Sequence, residues 1–76
     1  MVRAFIMVKT EAGSSAELQQ RIRGVEDVVE AHVVAGQYDI IVEVEGEGVN
    51  SVIQAVATEL RSLDGVTDTR TYICLD

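Results

Sequence analysis

The stretch VVAGQYDIIVEV, residues 33–44, predicts a β-hairpin. Gly36 and Gln37 would form its turn, since glycine is favoured where two strands connect tightly. From Tyr38 to Glu45, apolar residues at the even positions alternate with residues that are mostly acidic. A period of two is typical of a strand with one buried face, so residues 38–45 are predicted to form an antiparallel strand.

Three more strands and two helices surround this strand. β-Branched and aromatic residues predict strands over residues 2–9 and 66–75, and the first strand of the hairpin covers residues 28–35. Apolar residues at helical spacing predict one helix between Ser14 and Gly24 and a second helix over residues 49–63. The second helix has the clearest apolar stripe, which consists of Val49, Val52, Ile53, Val56, Ala57, Leu60 and Leu63.

The two halves of the chain resemble each other. The first helix ends in RGVED, residues 23–27, and the second ends in DGVTD, residues 64–68. Each half therefore consists of a strand, a helix and a strand. This order predicts one α+β domain over residues 1–76 with the ferredoxin-like βαββαβ fold, a four-stranded antiparallel sheet with both helices on one face.

The other face of such a sheet has no helices to cover it. Phe5 and Met7 point to this face from the first strand, Ile41 from the third strand, and Tyr72 or Ile73 from the last strand. A chain of 76 residues buries only about 60% of its unfolded surface, and a single cysteine excludes an internal disulfide. We therefore expect a homo-oligomer that dimerises through the open sheet face.

The charge balance and the hydropathy exclude several classes of partner. The chain has 13 acidic and 6 basic residues, and its net charge is -7 at pH 7. Nucleic-acid binding needs clustered lysine and arginine, so we expect no direct contact with DNA or RNA. No run of about 20 apolar residues predicts a membrane span. No signal peptide is recognisable either, so we expect a cytoplasmic protein.

No catalytic, metal-binding or cofactor-binding constellation is recognisable in the sequence. His32 stands alone in the second strand and is predicted to be a partly exposed sheet residue. Cys74 is predicted to be a small buried residue, and Glu43, Glu45 and Glu47 to form a solvated face. We therefore expect no enzymatic activity, no metal and no cofactor.

The turn AGQYD, residues 35–39, is the feature that best indicates a binding site. Asp39 can bind an ammonium group, Tyr38 offers a hydroxyl and a ring, and a tight turn exposes backbone N–H and C=O groups. The same residue types also occur in ordinary hairpin turns, where the acidic side chain is satisfied locally. The residues alone leave both interpretations open.

Residues 33–44 resemble the signature hairpin of the Lrp/AsnC ligand-binding domain, which is also called the RAM domain. The stretch LDGVTDTRTYI, residues 63–73, resembles the closing pattern of this family, a helix end, Gly-Val and a strand that carries threonines. The resemblance covers nearly the whole chain. It implies dimers that form through their sheets, rings of such dimers, and an amino acid or similar metabolite bound between dimers.

The resemblance also implies where the ligand binds, near the hairpin turn and the last strand. Asp39 would face the amino group or a polar side chain of the ligand, and backbone groups around Gly36 would hold its carboxylate or amide end. The matching positions in this chain are Gly36, Gln37, Tyr38, Asp39, Thr69 and Thr71.

Full-length members of this family carry an N-terminal helix-turn-helix domain, whereas this sequence starts at the first sensor strand. The resemblance is therefore to a stand-alone sensor. Such a protein would join full-length relatives in mixed assemblies or sense metabolites for another partner.

Two other classes of protein share the strand order. An ACT-type regulatory domain also binds amino acids between subunits and favours a glycine-rich turn after the first strand, for which EAGS, residues 11–14, is a weak match. A small dimeric α/β-barrel enzyme needs a histidine or an acid in the cavity between sheet and helices, where only His32 is available.

Overall fold

The computed structural model of the chain describes the backbone of residues 1–76 and every side chain except that of residue 55. The elements are β1 (Val2–Thr10), α1 (Ser15–Arg23), β2 (Val28–Val33), β3 (Ile40–Gly46), a π-helical segment (Ser51–Ala57), α2 (Thr58–Arg61) and β4 (Val66–Ile73). The strands form one sheet in the order β2-β3-β1-β4, and all neighbours are antiparallel. This confirms the predicted ferredoxin-like fold.

The hydrophobic core lies between one face of the sheet and the helices. Alternate residues of the central strands point into it, as the period of two predicted. Fully burying an aliphatic side chain of this size contributes roughly 1.5–3 kcal/mol relative to leaving it exposed. The largest side chains with almost no exposure are Ile6, Val8, Ile22, Ile40, Val42, Val44, Val52, Val56 and Leu60.

The second helix is not the single α-helix that its apolar stripe predicted. Residues Ser51–Ala57 form a π-helix, in which hydrogen bonds span five residues instead of four. Two stripe residues do not reach the core: Val49, just before the π-helix, is 44% exposed, and Ile53 within it is 41% exposed, whereas Val52 and Val56 are buried. Among the residues that the structure describes, no helix is both long and apolar enough to cross a membrane.

The hairpin differs from its prediction at the turn. β2 ends at Val33 and β3 begins at Ile40, so Tyr38 and Asp39 lie in the connecting loop and not in the third strand. The Val34 N–H donates to the carbonyl oxygen of Asp39 at 2.8 Å and closes this loop. The strand begins late because Asp39 is bound to the end of β1 and does not continue the regular ladder.

The two halves enter β2 and β4 through the same turn. Val28 and Val66 begin these strands, and each donates its N–H to the carbonyl oxygen three residues earlier at 3.2 Å. The residue before each strand has a positive φ, 72° at Asp27 and 96° at Gly65. Gly65 therefore corresponds to Asp27, and not to Gly24 as the similarity of the two helix ends suggested.

Candidate functional site

Asp39 ties the hairpin loop to the end of β1. Its Oδ2 accepts a hydrogen bond from the Thr10 N–H at 2.8 Å, and its own N–H donates to the Val8 carbonyl oxygen at 2.9 Å. Both partners are backbone groups of β1, so Asp39 is held by the neighbouring strand and not by its own turn. The side chain is only partly buried and uses one oxygen in this contact, so Oδ1 can still accept a hydrogen bond from a ligand.

The remaining hairpin residues are accessible. Gly36 and Gln37 are exposed, and Tyr38 is partly buried. A Cβ added at Gly36 would meet nothing within 4 Å, and the φ of this glycine is not positive. Neither packing nor backbone conformation within one chain therefore requires a glycine here. Because Gly36 has no side chain, a ligand or a second subunit can approach the backbone of the loop closely.

The two threonines lie on β4, on the helix-facing side of the sheet. Thr69 pairs with Val8 and Thr71 pairs with Ile6, and both partners are buried residues of β1. On its other side Val8 pairs with Ile40, the first residue of β3. The structure therefore brings Thr69 and the hairpin loop to the same end of β1, and it places Thr71 farther toward the middle of the sheet.

A shallow pocket of about 170 Å³ opens beside the first residues of β4, and it is lined by Arg61, Val66, Thr67, Asp68 and Thr69. Arg61 ends α2, and its guanidinium can bind a carboxylate through two parallel hydrogen bonds. The sequence did not single out Arg61, because a basic residue in the last turn of a helix is ordinarily explained by the helix dipole. Thr69 is one of the six residues predicted to bind the ligand, and it lines this pocket.

The sheet face opposite the helices carries an apolar strip. Phe5 and Met7 of β1 and Ile41 of β3 are partly buried, and Tyr72 of β4 is 55% exposed. Phe5 pairs with Tyr72 and Met7 pairs with Ile41, so these four side chains share one face. This confirms the predicted orientation and selects Tyr72 over Ile73, which packs against the core.

Charged side chains surround the apolar strip. Arg3 lies 3.9 Å from Glu43, whose side chain is only 19% exposed because it packs across from Phe5 on this face. The predicted solvated face of Glu43, Glu45 and Glu47 is therefore exposed at Glu47 but largely buried at Glu43. His32 is exposed and lies 3.2 Å from Glu30. Within the part of the chain that the structure describes, no group of three His, Cys, Asp or Glu residues could hold a metal ion.

Sequence comparison connects the chain with a family of regulators. It matches the Lrp/AsnC ligand binding domain over residues 3–76. It is 32% identical over 75 residues to the HTH-type transcriptional regulator FL11 of Pyrococcus abyssi, a match that covers 95% of this chain and 47% of the relative. The chain thus spans about half the length of the curated relatives it matches.

Solved structures share the fold. The crystal structure of TTHA0845 from Thermus thermophilus matches with a TM-score of 0.92 at 26% identity, over 100% of this chain and 95% of that chain. The transcriptional regulator NMB0573 of Neisseria meningitidis, solved as a complex with L-Met, matches with a TM-score of 0.83 over 99% of this chain and 50% of that chain. At 23% identity the latter likeness shows the fold alone.

Proposed function

This chain belongs to the Lrp/AsnC ligand-binding domain family, and we propose that it is a cytoplasmic sensor that binds an amino acid or a similar small metabolite for a transcription regulator. The relatives are named as transcription regulators, which are not enzymes, so the chain is a regulatory domain and not a catalyst. One observation carries the choice of ligand: Asp39 keeps a carboxylate oxygen available beside an exposed loop.

The ligand chemistry follows from the groups at the hairpin end of the sheet. The free oxygen of Asp39 accepts a hydrogen bond from the ammonium group of the ligand, a charge-assisted contact that contributes about 1.5–3 kcal/mol. Backbone groups around Gly36 hold the carboxylate end, and Gln37, Tyr38, Thr69 and Thr71 complete the site. The complex of NMB0573 with L-Met supports an amino acid as the class of ligand.

The site is completed between subunits. The loop residues Gly36 and Gln37 are exposed in one chain, so a second subunit is needed to exclude water from a ligand that binds them. Two copies associate through the apolar strip of Phe5, Met7, Ile41 and Tyr72, which lies on the sheet face opposite the helices. Such dimers assemble further into a ring, in which the hairpin loops of each dimer contact the neighbouring dimers.

The partners of the sensor are full-length regulators of the same family. A net charge of -7 makes the chain itself unsuited to bind phosphates. FL11 of Pyrococcus abyssi is about twice as long as the matched region, and its name describes an HTH-type regulator. A mixed assembly would combine DNA binding by the regulator with ligand binding by this chain.

A thermal-shift screen tests the ligand class. The proteinogenic amino acids are added one at a time, and light scattering records the mass of the assembly in the same samples. We expect one chemically related group of amino acids to raise the Tm. The added stability should reach about 2.7 kcal/mol at a hundredfold excess over Kd. A chain that stays monomeric and responds to no amino acid would refute the proposal.

Asp39→Asn tests the site itself. Asparagine keeps an oxygen acceptor for the Thr10 N–H, so the Tm without ligand should hardly change, while the loss of charge weakens ligand binding by about tenfold or more. Asp27→Asn is the matched control, because it removes a carboxylate from the opposite end of the sheet and should leave the affinity unchanged. Equal affinities in both variants would remove Asp39 from the site.

A further inference from the structure

The charged side chains on the open face of the sheet are divided by strand. Residues directly opposite each other on neighbouring strands share a face, so the register identifies the charged residues that lie beside the apolar strip. On β2 and β3 they are the acidic residues Glu30, Glu43 and Glu45, and on β1 and β4 they are the basic residues Arg3, Lys9 and Arg70. We call β2 and β3 the acidic half of this face, and β1 and β4 the basic half. Among the described residues, His32 on the acidic half and Asp68 on the basic half are the exceptions.

The open face is better balanced in charge than the chain as a whole. It holds three of the six lysine and arginine residues but only four of the thirteen aspartate and glutamate residues. Two copies of a chain with a net charge of -7 repel each other, and this repulsion is weaker where both signs of charge are present. Charge therefore opposes the contact of two copies less on this face than the net charge of the chain suggests.

Most charges of the basic half have a partner within the chain. The guanidinium of Arg3 lies 3.9 Å from the carboxylate of Glu43, and Arg3 stands opposite Glu45 in the register. Lys9 stands opposite Asp68. These residues therefore need no second subunit to offset their charges.

Arg70 and Glu30 are the two charges that this pattern leaves over. Arg70 stands opposite the apolar Met7 and takes part in no ion pair of the described residues. Glu30 stands opposite a second carboxylate, that of Glu43, and its contact is with His32 at 3.2 Å. Because β2 and β4 are the two edges of the sheet, three strand spacings, about 14 Å, keep Glu30 and Arg70 apart within one chain.

We propose that the open face selects its partner by charge, so that Glu30 on the β2 edge of one copy meets Arg70 on the β4 edge of a second copy. A two-fold axis that runs along the strands lays the acidic half of each copy on the basic half of the other, and the symmetry makes the contact twice. Glu30 is level with Tyr72 across the sheet, and Arg70 lies two residues away, about 7 Å along the strand. The long side chains of glutamate and arginine bridge this offset.

The same charges disfavour the alternative orientation. A two-fold axis that runs across the strands would lay β2 on β2 and β4 on β4. Arg70 would then approach Arg70 of the partner subunit, and Glu30 would approach Glu30 of the partner subunit. Like charges that meet across an interface suppress an arrangement of this kind. Both orientations cover the apolar strip, so the charges decide between them.

This inference rests on the proposed dimer through the open sheet face, and it adds the orientation of the two chains and the residues that select the partner. It also defines which relatives can join a mixed dimer. A ligand-binding domain of the same fold fits if it carries an acid at the position of Glu30 and a base at the position of Arg70. A relative that lacks this division is rejected, because specificity needs a repulsive contact as well as an attractive one.

Charge reversal tests the pairing. Glu30→Arg and Arg70→Glu each change an exposed residue, so both variants should keep the fold, which circular dichroism checks. In either variant alone, like charges meet twice at the interface. Native mass spectrometry over a dilution series gives the concentration at which half of the chains are monomeric. We expect this concentration to rise about tenfold or more in either variant.

An equimolar mixture of the two variants is the decisive sample. In a mixed dimer both contacts join opposite charges again, so we expect mixed dimers to predominate and to dissociate at nearly the same concentration as the wild-type dimer. Glu17→Arg and Arg21→Glu are the matched controls, because they make the same charge changes on α1, away from the open face. The control variants should dimerise like the wild type and mix at random.

Two results would overturn this inference: variants at positions 30 and 70 that dissociate like the wild type, or variants that mix at random. With either result, a wild-type chain that still dimerises leaves the proposed sheet-face dimer standing. A wild-type chain that is monomeric at every concentration would overturn both. The titration of Asp39→Asn with amino acids decides ligand sensing independently.

Discussion

The two halves of this molecule follow one local plan, yet they offer different surfaces. Each half passes from a helix into an edge strand through the same turn, with Asp27 or Gly65 at a positive φ. In the first half, Gln19 and Arg23 of α1 both donate to the carbonyl oxygen of Ala31 on the free side of β2. In the second half, no described side chain of α2 makes a comparable hydrogen bond to β4. A repeated fold can thus keep its core and diverge at its edges.

The divergence matches a division of roles. The first half carries the hairpin loop that leads from β2 into β3, and it closes its own edge. The second half supplies the threonine-bearing strand, whose start lies beside the hairpin at the same end of β1. The residues that we propose for ligand binding therefore meet at one end of the sheet, although different repeats supply them.

The largest expected difference between the halves lies in their helices. Ile22 of α1 is fully buried, whereas Ile53 of the π-helical segment is 41% exposed. We expect Ile22→Ala to lower the free energy of unfolding by about 2–5 kcal/mol. Ile53→Ala should cost about 1 kcal/mol or less, since little buried volume is lost. Urea unfolding at one fixed protein concentration measures both. Equal losses would mean that the π geometry does not hold Ile53 outside the core.

The two equivalent turns should respond differently to substitution. A Cβ at Gly65 would lie 3.1 Å from Leu18 Cδ1, and the left-handed conformation adds about 1–2 kcal/mol for a residue with a side chain. We therefore expect Gly65→Ala to lower stability by at least about 1–2 kcal/mol. At Asp27, relief of the left-handed conformation is offset by the chain entropy of glycine, so Asp27→Gly should change stability by less than about 1 kcal/mol.

The same unfolding experiment compares the turns. A larger loss from Asp27→Gly than from Gly65→Ala would show that the two turns are not equivalent in energy.

The smallest expected effect concerns the covered edge. Replacing Gln19 and Arg23 together by alanine exposes the carbonyl oxygen of Ala31 and should change the unfolding free energy by only about 1 kcal/mol. The uncovered edge should instead increase self-association, which light scattering over a concentration series detects. The double substitution Glu17→Ala with Arg21→Ala is the control, since it removes the exposed ion pair of the same helix. A double variant that associates like this control would argue against a protective role.

Periodic features of the fold could be predicted from the sequence, because alternation directly reports which side chains share a face. The positions of Ile6, Ile40 and Val42 in the core follow from that rule, and so does the open face of Phe5 and Met7. The bounds of the hairpin loop could not be predicted. They depend on a hydrogen bond between Asp39 and Thr10, which are 29 residues apart in the chain, and no local pattern records such a contact.

The candidate site was predictable only in part for the same reason. The hairpin residues stand next to each other in sequence, and the family resemblance identified them together. Arg61 was missed because only the packing of α2 beside the start of β4 brings it near Thr69. The turn at Asp27 was misassigned because glycine at position 24 imitates the helix end that Gly65 forms in the other half.

Native mass spectrometry of the chain in an equimolar mixture of the proteinogenic amino acids tests the central claim most directly. One spectrum reports the assembly state, the mass of any bound amino acid and the species that carries it. The account predicts an amino acid bound to dimers and larger assemblies and none bound to the monomer, because a second subunit completes the site at the hairpin. An amino acid bound equally to the monomer, or none bound to any species, would contradict it.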